Sequence, residues 1–196
     1  MKKIGYNILI GLLTIVSLNA QEIESDFEKE GSIPKNNIKV YPIYALSGII
    51  GIGYERVITP KMSINVIILQ QFAEPNFDNN VFERNYNLFF ETDIRRYLSK
   101  RKKSPEGWFV SAGLLTEYNY DRLKNSDNNQ TTDVERLWVG GSGKIGYQWI
   151  FKKALKGIST EVAGGLAYRT IIEGISDTNS QSGFDTIIDV TVGYSW

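Results

Sequence analysis

The chain of 196 residues contains no cysteine and no histidine. Without cysteine there is no disulfide framework, no thiolate metal site, no cysteine nucleophile and no lipid-modified N-terminal cysteine. Without histidine there is no Ser-His-Asp triad, no His-ligated zinc and no imidazole base. Neither sign of charge is in excess, with 22 Lys+Arg against 22 Asp+Glu, which argues against non-specific binding to nucleic acid. Beyond the first twenty residues no apolar run reaches the ~18 residues of a membrane-spanning helix. What is present is 42% hydrophobic residues with Gly 18, Tyr 11, Phe 9 and Trp 4, a composition that leans towards β-structure.

Residues 1–20 have the layout of a secretory signal peptide. Lys2 and Lys3 are followed by the apolar run Ile8 to Val16, and Ser17-Leu18-Asn19-Ala20 offers a cleavage site. A membrane anchor is the competing reading, but the run is short for a core of ~30 Å. Cleavage after Ala20 would leave 176 residues with 20 bases and 22 acids. Residues 21–36 hold Glu22, Glu24, Asp26, Glu28, Glu30, Gly31 and Pro34 and read as an acidic flexible tail. The remainder, 37–196, reads as one domain.

That domain alternates with period two, the spacing that sends successive strand side chains to opposite faces. From the C-terminal side, Trp196, Tyr194, Val192, Val190, Ile188, Thr186 and Phe184 form one face. Ser195, Gly193, Thr191, Asp189, Ile187 and Asp185 form the other. Comparable stretches fall at 37–46, 48–58, 62–72, 83–98, 108–121, 134–151 and 158–172, eight strands in all. An even count suits a closed antiparallel barrel. Thr59-Pro60-Lys61 and Lys152–Gly157 are short connectors, whereas 73–82, 122–132 and 173–183 are longer and polar. Ser99–Gly107 and Ser47-Gly48 depart from this alternation of short and long.

A soluble barrel packs its apolar face inward, and an outer-membrane barrel inverts it. Three features favour inversion. The polar face combines Gly51, Gly53, Gly113, Gly140, Gly146, Gly165 and Gly193 with Lys39, Glu55, Glu91, Asp93, Arg95, Glu117, Lys144, Glu161 and Arg169. This set fits the narrow interior of an eight-stranded barrel if the charges pair. The apolar face carries aromatics near strand ends, among them Trp108, Tyr118, Tyr147, Trp149, Tyr168 and Tyr194, where interfacial girdles lie. Its few charges, Arg56 and Arg96, fall near the short connectors, and Asp133 and Glu135 lie above the membrane stretch. Ile43, Ile49, Ile67, Leu69, Phe89, Leu115, Ile171 and Ile187 break the pattern by falling on the polar face. They call for interior packing or for a bulge in strands one to three.

Gly53-Tyr54-Glu55-Arg56 with Pro60 and Ser63, Arg95-Arg96-Tyr97, Gly143–Trp149 and the terminal Gly193-Tyr194-Ser195-Trp196 together resemble the small eight-stranded outer-membrane barrels of Gram-negative bacteria. The resemblance is to the OmpA/OmpX architectural type and to uncharacterised outer membrane β-barrel proteins. It implies an all-β, antiparallel, up-and-down transmembrane barrel after a cleaved signal peptide. It also implies outer-membrane lipid, the barrel-insertion machinery and periplasmic chaperones as partners. Phe184, Ile188, Val190, Val192, Tyr194 and Trp196 would form the insertion signal, with Trp196 standing where family members usually end in Phe.

Other motifs fall short of chemistry. Gly140–Lys144 lacks the first Gly and the final Ser or Thr of a phosphate loop, with Trp138 and Ile145 in those places. Asp177–Gln181 lacks the Gly and Glu of a calcium loop, and Asn129-Gln130-Thr131 is an uninformative sequon. The basic run Ser99–Lys103 reads either as a solvated turn or as a contact for acidic headgroups or a periplasmic partner. A carboxylate-only catalytic site built from Glu91, Asp93, Glu117 and Glu161 is conceivable, but pairing with Arg95, Lys144 and Arg169 explains those residues more simply. The expectation is therefore a non-enzymatic outer-membrane barrel without cofactor or metal, acting through its exposed loops. A narrow passive channel and a soluble lipocalin-like barrel in the periplasm are the alternatives.

Overall fold

The structure is a computed structural model that describes residues 34–71, 82–100, 102–124, 131–152, 155–174 and 182–196. The expected signal peptide, most of the acidic tail, the centres of the long connectors and the Asp177–Gln181 segment lie outside the described residues.

Eight strands form a closed antiparallel barrel in chain order: β1 Asn36–Val40, β2 Ile49–Thr59, β3 Met62–Gln71, β4 Phe82–Tyr97, β5 Gly107–Lys124, β6 Thr131–Ile150, β7 Ile158–Gly174 and β8 Ser182–Ser195. Each strand pairs with its sequence neighbour, and β1 closes the ring on β8 through Asn37↔Ser195, Ile38↔Tyr194, Lys39↔Gly193 and Val40↔Val192. The ring closes at the level of β1, while β8 from Ser182 to Thr191 and the start of β2 run past the end of β1. Among the described residues no helix is long and apolar enough to cross a membrane.

The wall is uneven. β1 has 5 residues and β6 has 20, so β4 to β7 rise well above β1 to β3 at the loop end. The expected strand at 37–46 is corrected here: the ladder stops at Val40, and Pro42–Ala45 forms a one-turn helix, α1. Pro42 lacks the N–H that a ladder needs and has the φ of a first helical position. Tyr41 then turns into the barrel, 2% exposed. Gly51 and Gly53 make room for it: a Cβ on Gly51 would come within 2.9 Å of Tyr41 Cβ, and one on Gly53 within 3.1 Å of the Tyr41 hydroxyl.

At the loop end the strands outrun the alternation of the sequence. Arg122↔Asp133, Leu123↔Thr132 and Lys124↔Thr131 are paired, where a connector over 122–132 was expected. Backbone groups pair regardless of side-chain polarity once two strands are in register. Of the apolar residues on the polar face, Ile67 and Leu115 are buried inside the barrel, whereas Ile43 is exposed on α1. The register of β2 on β3 is continuous from Ile49 to Val57 and shifts only between Val57 and Thr59.

The opposite end is closed by the β4–β5 connector, which folds under the barrel. Ser104 and Pro105 are buried, and the Ser104 N–H donates to the Pro60 carbonyl at 2.9 Å. Above it Tyr97, Phe109 and Ala163 make a small apolar core, with the Tyr97 and Phe109 rings 5.6 Å apart. The outer surface is apolar as well. Ile50, Ile52, Ile94, Leu114, Ile145 and Leu166 are all exposed on it.

Candidate functional site: a charged lumen

Because odd-numbered residues of β4, β5 and β7 point inward and even-numbered residues of β6 do the same, one layer of the barrel collects polar side chains from seven strands. Lys39, Glu55, Asp93, Arg95, Glu91, Lys144, Glu161 and Asp189 are all buried. Lys39 Nζ lies 2.6 Å from Glu55 Oε2 and 2.6 Å from Glu161 Oε2, and donates to Gln148 Oε1 at 2.7 Å. Arg95 donates through Nε to Asp93 Oδ1 at 2.9 Å and through Nη1 to Glu161 Oε2 at 2.6 Å, with Glu55 Oε2 3.7 Å away. Its guanidinium lies 4.5 Å from the centre of the Phe109 ring, a favourable cation–π geometry. Lys144 Nζ lies 2.9 Å from Glu91 Oε2, 3.2 Å from Asp189 Oδ2 and 3.8 Å from Asp93 Oδ2.

Five carboxylates thus surround three cations, and neutral donors reach four of the carboxylates further, while Glu161 Oε1 is left without a hydrogen bond. Ser63 and Tyr97 hydroxyls donate to Glu55 Oε1 at 2.5 and 2.6 Å. Asn65 Nδ2 donates to Asp93 Oδ2 at 3.0 Å, and the Ser142 hydroxyl donates to Glu91 Oε1. From α1, Tyr44 reaches across the mouth and donates to Asp189 Oδ1 at 2.9 Å, its ring 5.9 Å from that of Tyr41. A buried charge is tolerable only when paired and hydrogen-bonded, and each ion of this layer is both. Lys39 from β1 and Arg95 from β4 both reach Glu161 on β7, so the layer bridges the lumen.

A second cluster lies nearer the loop end. Arg169 Nη1 bonds Glu117 Oε2, and Arg169 Nε lies 2.6 Å from Asp185 Oδ2. Asn87 and Asn119 amides donate to Glu117 Oε1 at 2.9 and 3.2 Å, and Trp138 covers the guanidinium at 5.3 Å. The Arg169 side chain is 32% exposed, so this cluster meets solvent. The nine residues singled out in the sequence therefore fall into two groups: Glu117 and Arg169 in the mouth, and the other seven in the buried layer. Asp189, Asn65, Ser63, Tyr97, Gln148 and Tyr44 complete that layer without having been singled out. Asp189 sits on the polar face of the last alternating run, and that alternation was the signal for it. Tyr44 had no such signal, because its position depends on α1.

Phe184, Ile188, Val192, Tyr194 and Trp196 are exposed on the outer face of β8, and Val190 is half-buried. Trp196 also fixes the start of the barrel, its carbonyl accepting from the N–H groups of Lys35 and Asn36 at 2.8 and 3.0 Å. Among the described residues no group of three or more Asp or Glu is arranged to hold a metal ion. Gly140–Lys144 lies within β6, so its residues are extended and cannot form a phosphate-cradling turn.

Residues 8–173 match the family described as "Protein of unknown function (DUF3575)", so the chain belongs to that family. No curated protein and no solved structure matches the chain.

Proposed function

We propose that this family member is an integral outer-membrane protein, non-enzymatic, whose barrel is a rigid frame for the loops at its tall end. One observation carries the reading: the barrel is inside out relative to a water-soluble one. Ile52, Ile94, Leu114, Ile145, Val162, Leu166 and Ile188 are exposed around the outer wall, while Lys39, Arg95, Lys144 and their carboxylates are sequestered within. An apolar surface that continues round the cylinder is a large unfavourable area in water and a favourable one in hydrocarbon. The same observation favours this reading over a soluble periplasmic ligand-binding barrel, which would pack that face inward. The buried ion pairs that bridge the lumen, Arg95 with Glu161 and Lys144 with Glu91 and Asp189, favour a frame over a passive channel.

Envelope fractionation with a heat-modifiability gel tests the proposal. The mature chain should stay in the outer-membrane fraction after an alkaline wash, and its unheated form should migrate differently from its boiled form. A mature chain that remained monodisperse in detergent-free buffer would overturn the reading. Discrete conductance steps in a planar bilayer would favour the channel instead.

A further inference from the structure

The two ends of the barrel treat charge differently. At the loop end, exposed cations face carboxylates: Arg122 Nε lies 2.8 Å from Asp133 Oδ1, and Arg136 Nη1 lies 3.3 Å from Asp121 Oδ2. At the short-turn end stand Arg56, Lys61, Arg96, Lys100, Lys102, Lys152 and Lys156, on the strand ends and connectors of β2–β3, β4–β5 and β6–β7. Among the described residues the one acidic side chain there outside the lumen is Glu106, which is held between Lys102 and Lys152 at 2.7 and 2.8 Å. Its lone carboxylate cannot balance that many cations.

Several of these cations are tied to neighbouring groups. Lys61 Nζ donates to the carbonyls of Ser99 and Lys102, and Tyr97 N–H donates to the Lys61 carbonyl at 2.8 Å, tying two turns together. Arg56 and Arg96 stand on the outer wall near the short-turn ends of β2 and β4, with Ile58 and Leu98 exposed beyond them. Around the rest of the same rim stand Trp108, Tyr147, Trp149, Tyr194 and Trp196, with Tyr147 and Trp149 rings 4.4 Å apart and Tyr194 stacked on Trp196 at 6.2 Å. Lys102 Nζ donates to the Tyr147 hydroxyl at 2.8 Å and lies 5.3 Å from its ring centre. Indole and phenol groups beside cations, at the border of an apolar wall, are the elements that engage lipid headgroups.

We propose that this rim is a binding collar for the phosphodiester groups of an anionic glycerophospholipid leaflet, which supplies the missing negative charge and orients the barrel with its short turns in that leaflet. The proposal rests on the membrane reading above. Like charges crowded on one rim repel unless counter-charge is near, and Arg is suited to bidentate contact with phosphate oxygens.

The test uses the folded full-length protein in vesicles of phosphatidylcholine containing phosphatidylglycerol, with one lipid brominated at a time. Trp108, Trp149 and Trp196 all report on this rim. Quenching should show phosphatidylglycerol preferred over phosphatidylcholine by about fivefold or more at low salt, the ratio one cation near an anionic surface gives. The preference should fall towards one at high salt. The triple variant Arg96→Gln, Lys152→Gln, Lys156→Gln should lose it, and Arg122→Gln, at the far end, should keep it. Equal quenching by both lipids in the wild type would overturn the collar and leave the membrane reading standing. Absence of quenching by either lipid would overturn both. Abolition of the preference by matched inorganic phosphate would identify a site for free anions and overturn the lipid proposal.

Discussion

Arg95 and Arg169 make the same kind of contact in different surroundings. Each holds one carboxylate through Nε and another through Nη1: Asp93 and Glu161 for Arg95, Asp185 and Glu117 for Arg169. Arg95 is sealed in the lumen, whereas Arg169 sits in the mouth where water reaches it. Water screens an exposed ion pair and solvates either partner when the other is removed. In the lumen water does not replace a lost partner. The comparison teaches that the number of ion pairs says little about what holds this barrel together; the depth at which each pair sits decides it.

The largest effect should come from breaking the deep layer. Arg95→Ala leaves Asp93 and Glu161 without their main cation, and an uncompensated buried charge costs roughly 3–5 kcal/mol. Lys144→Ala strands Glu91 and Asp189 in the same way. Both variants should unfold at clearly lower denaturant concentration in detergent and should lose heat resistance on a gel. Wild-type resistance in both would mean that the lumen charges do not brace the wall.

Arg169→Ala tests the other side of the comparison. Its partners are hydrated once freed, so the loss should be about 1 kcal/mol, read as a small shift of the same denaturation midpoint. Arg122→Ala, at the rim with Asp133, should leave the midpoint unchanged. A loss for Arg169→Ala as large as for Arg95→Ala would erase the distinction between mouth and lumen.

The smallest effect concerns acid. Burial alone would raise the Glu106 carboxyl, but hydrogen bonds from Lys102 and Lys152 outweigh it and hold the group below the usual carboxylate range. A carboxyl lowered in the folded state stabilises above its unfolded pKa, about 4.3, and the contribution is lost as pH falls through the lower folded value. Glu106 should therefore contribute fully at pH 7 and at pH 5, and progressively less below about pH 4. Glu106→Gln should remove that part of the acid dependence. The Glu106→Gln and wild-type curves of midpoint against pH should then converge at low pH; parallel curves throughout would deny Glu106 this role.

Much of the architecture could be read along the chain, for a local reason. In β8 every second residue from Phe184 to Trp196 announces one face, and closure into a barrel follows from the need to cover polar backbone. The pairings inside the lumen were not legible, because they join residues far apart in the chain. Lys39 meets Glu161 across 122 positions, a contact created by ring closure. Tyr44 was lost to an over-long first strand, though Pro42 marked the break. Tyr97 shares the inward parity of Arg95, yet only the presence of Phe109 and Ala163 opposite makes an apolar base there. The upper ends of β5 and β6 were hidden because Arg122, Asp133 and their neighbours show no alternation, although their backbones pair.

The ring is joined between its first strand and its last, through Lys39↔Gly193 and its three companion pairs. No growing fragment of this polypeptide can therefore shut. Until residues 192–195 have been made, β1 has one side without a neighbour and an incomplete sheet ends in two raw margins, the kind of surface on which unrelated chains aggregate. Assembly must be a single late event, with the earliest strand waiting for the newest.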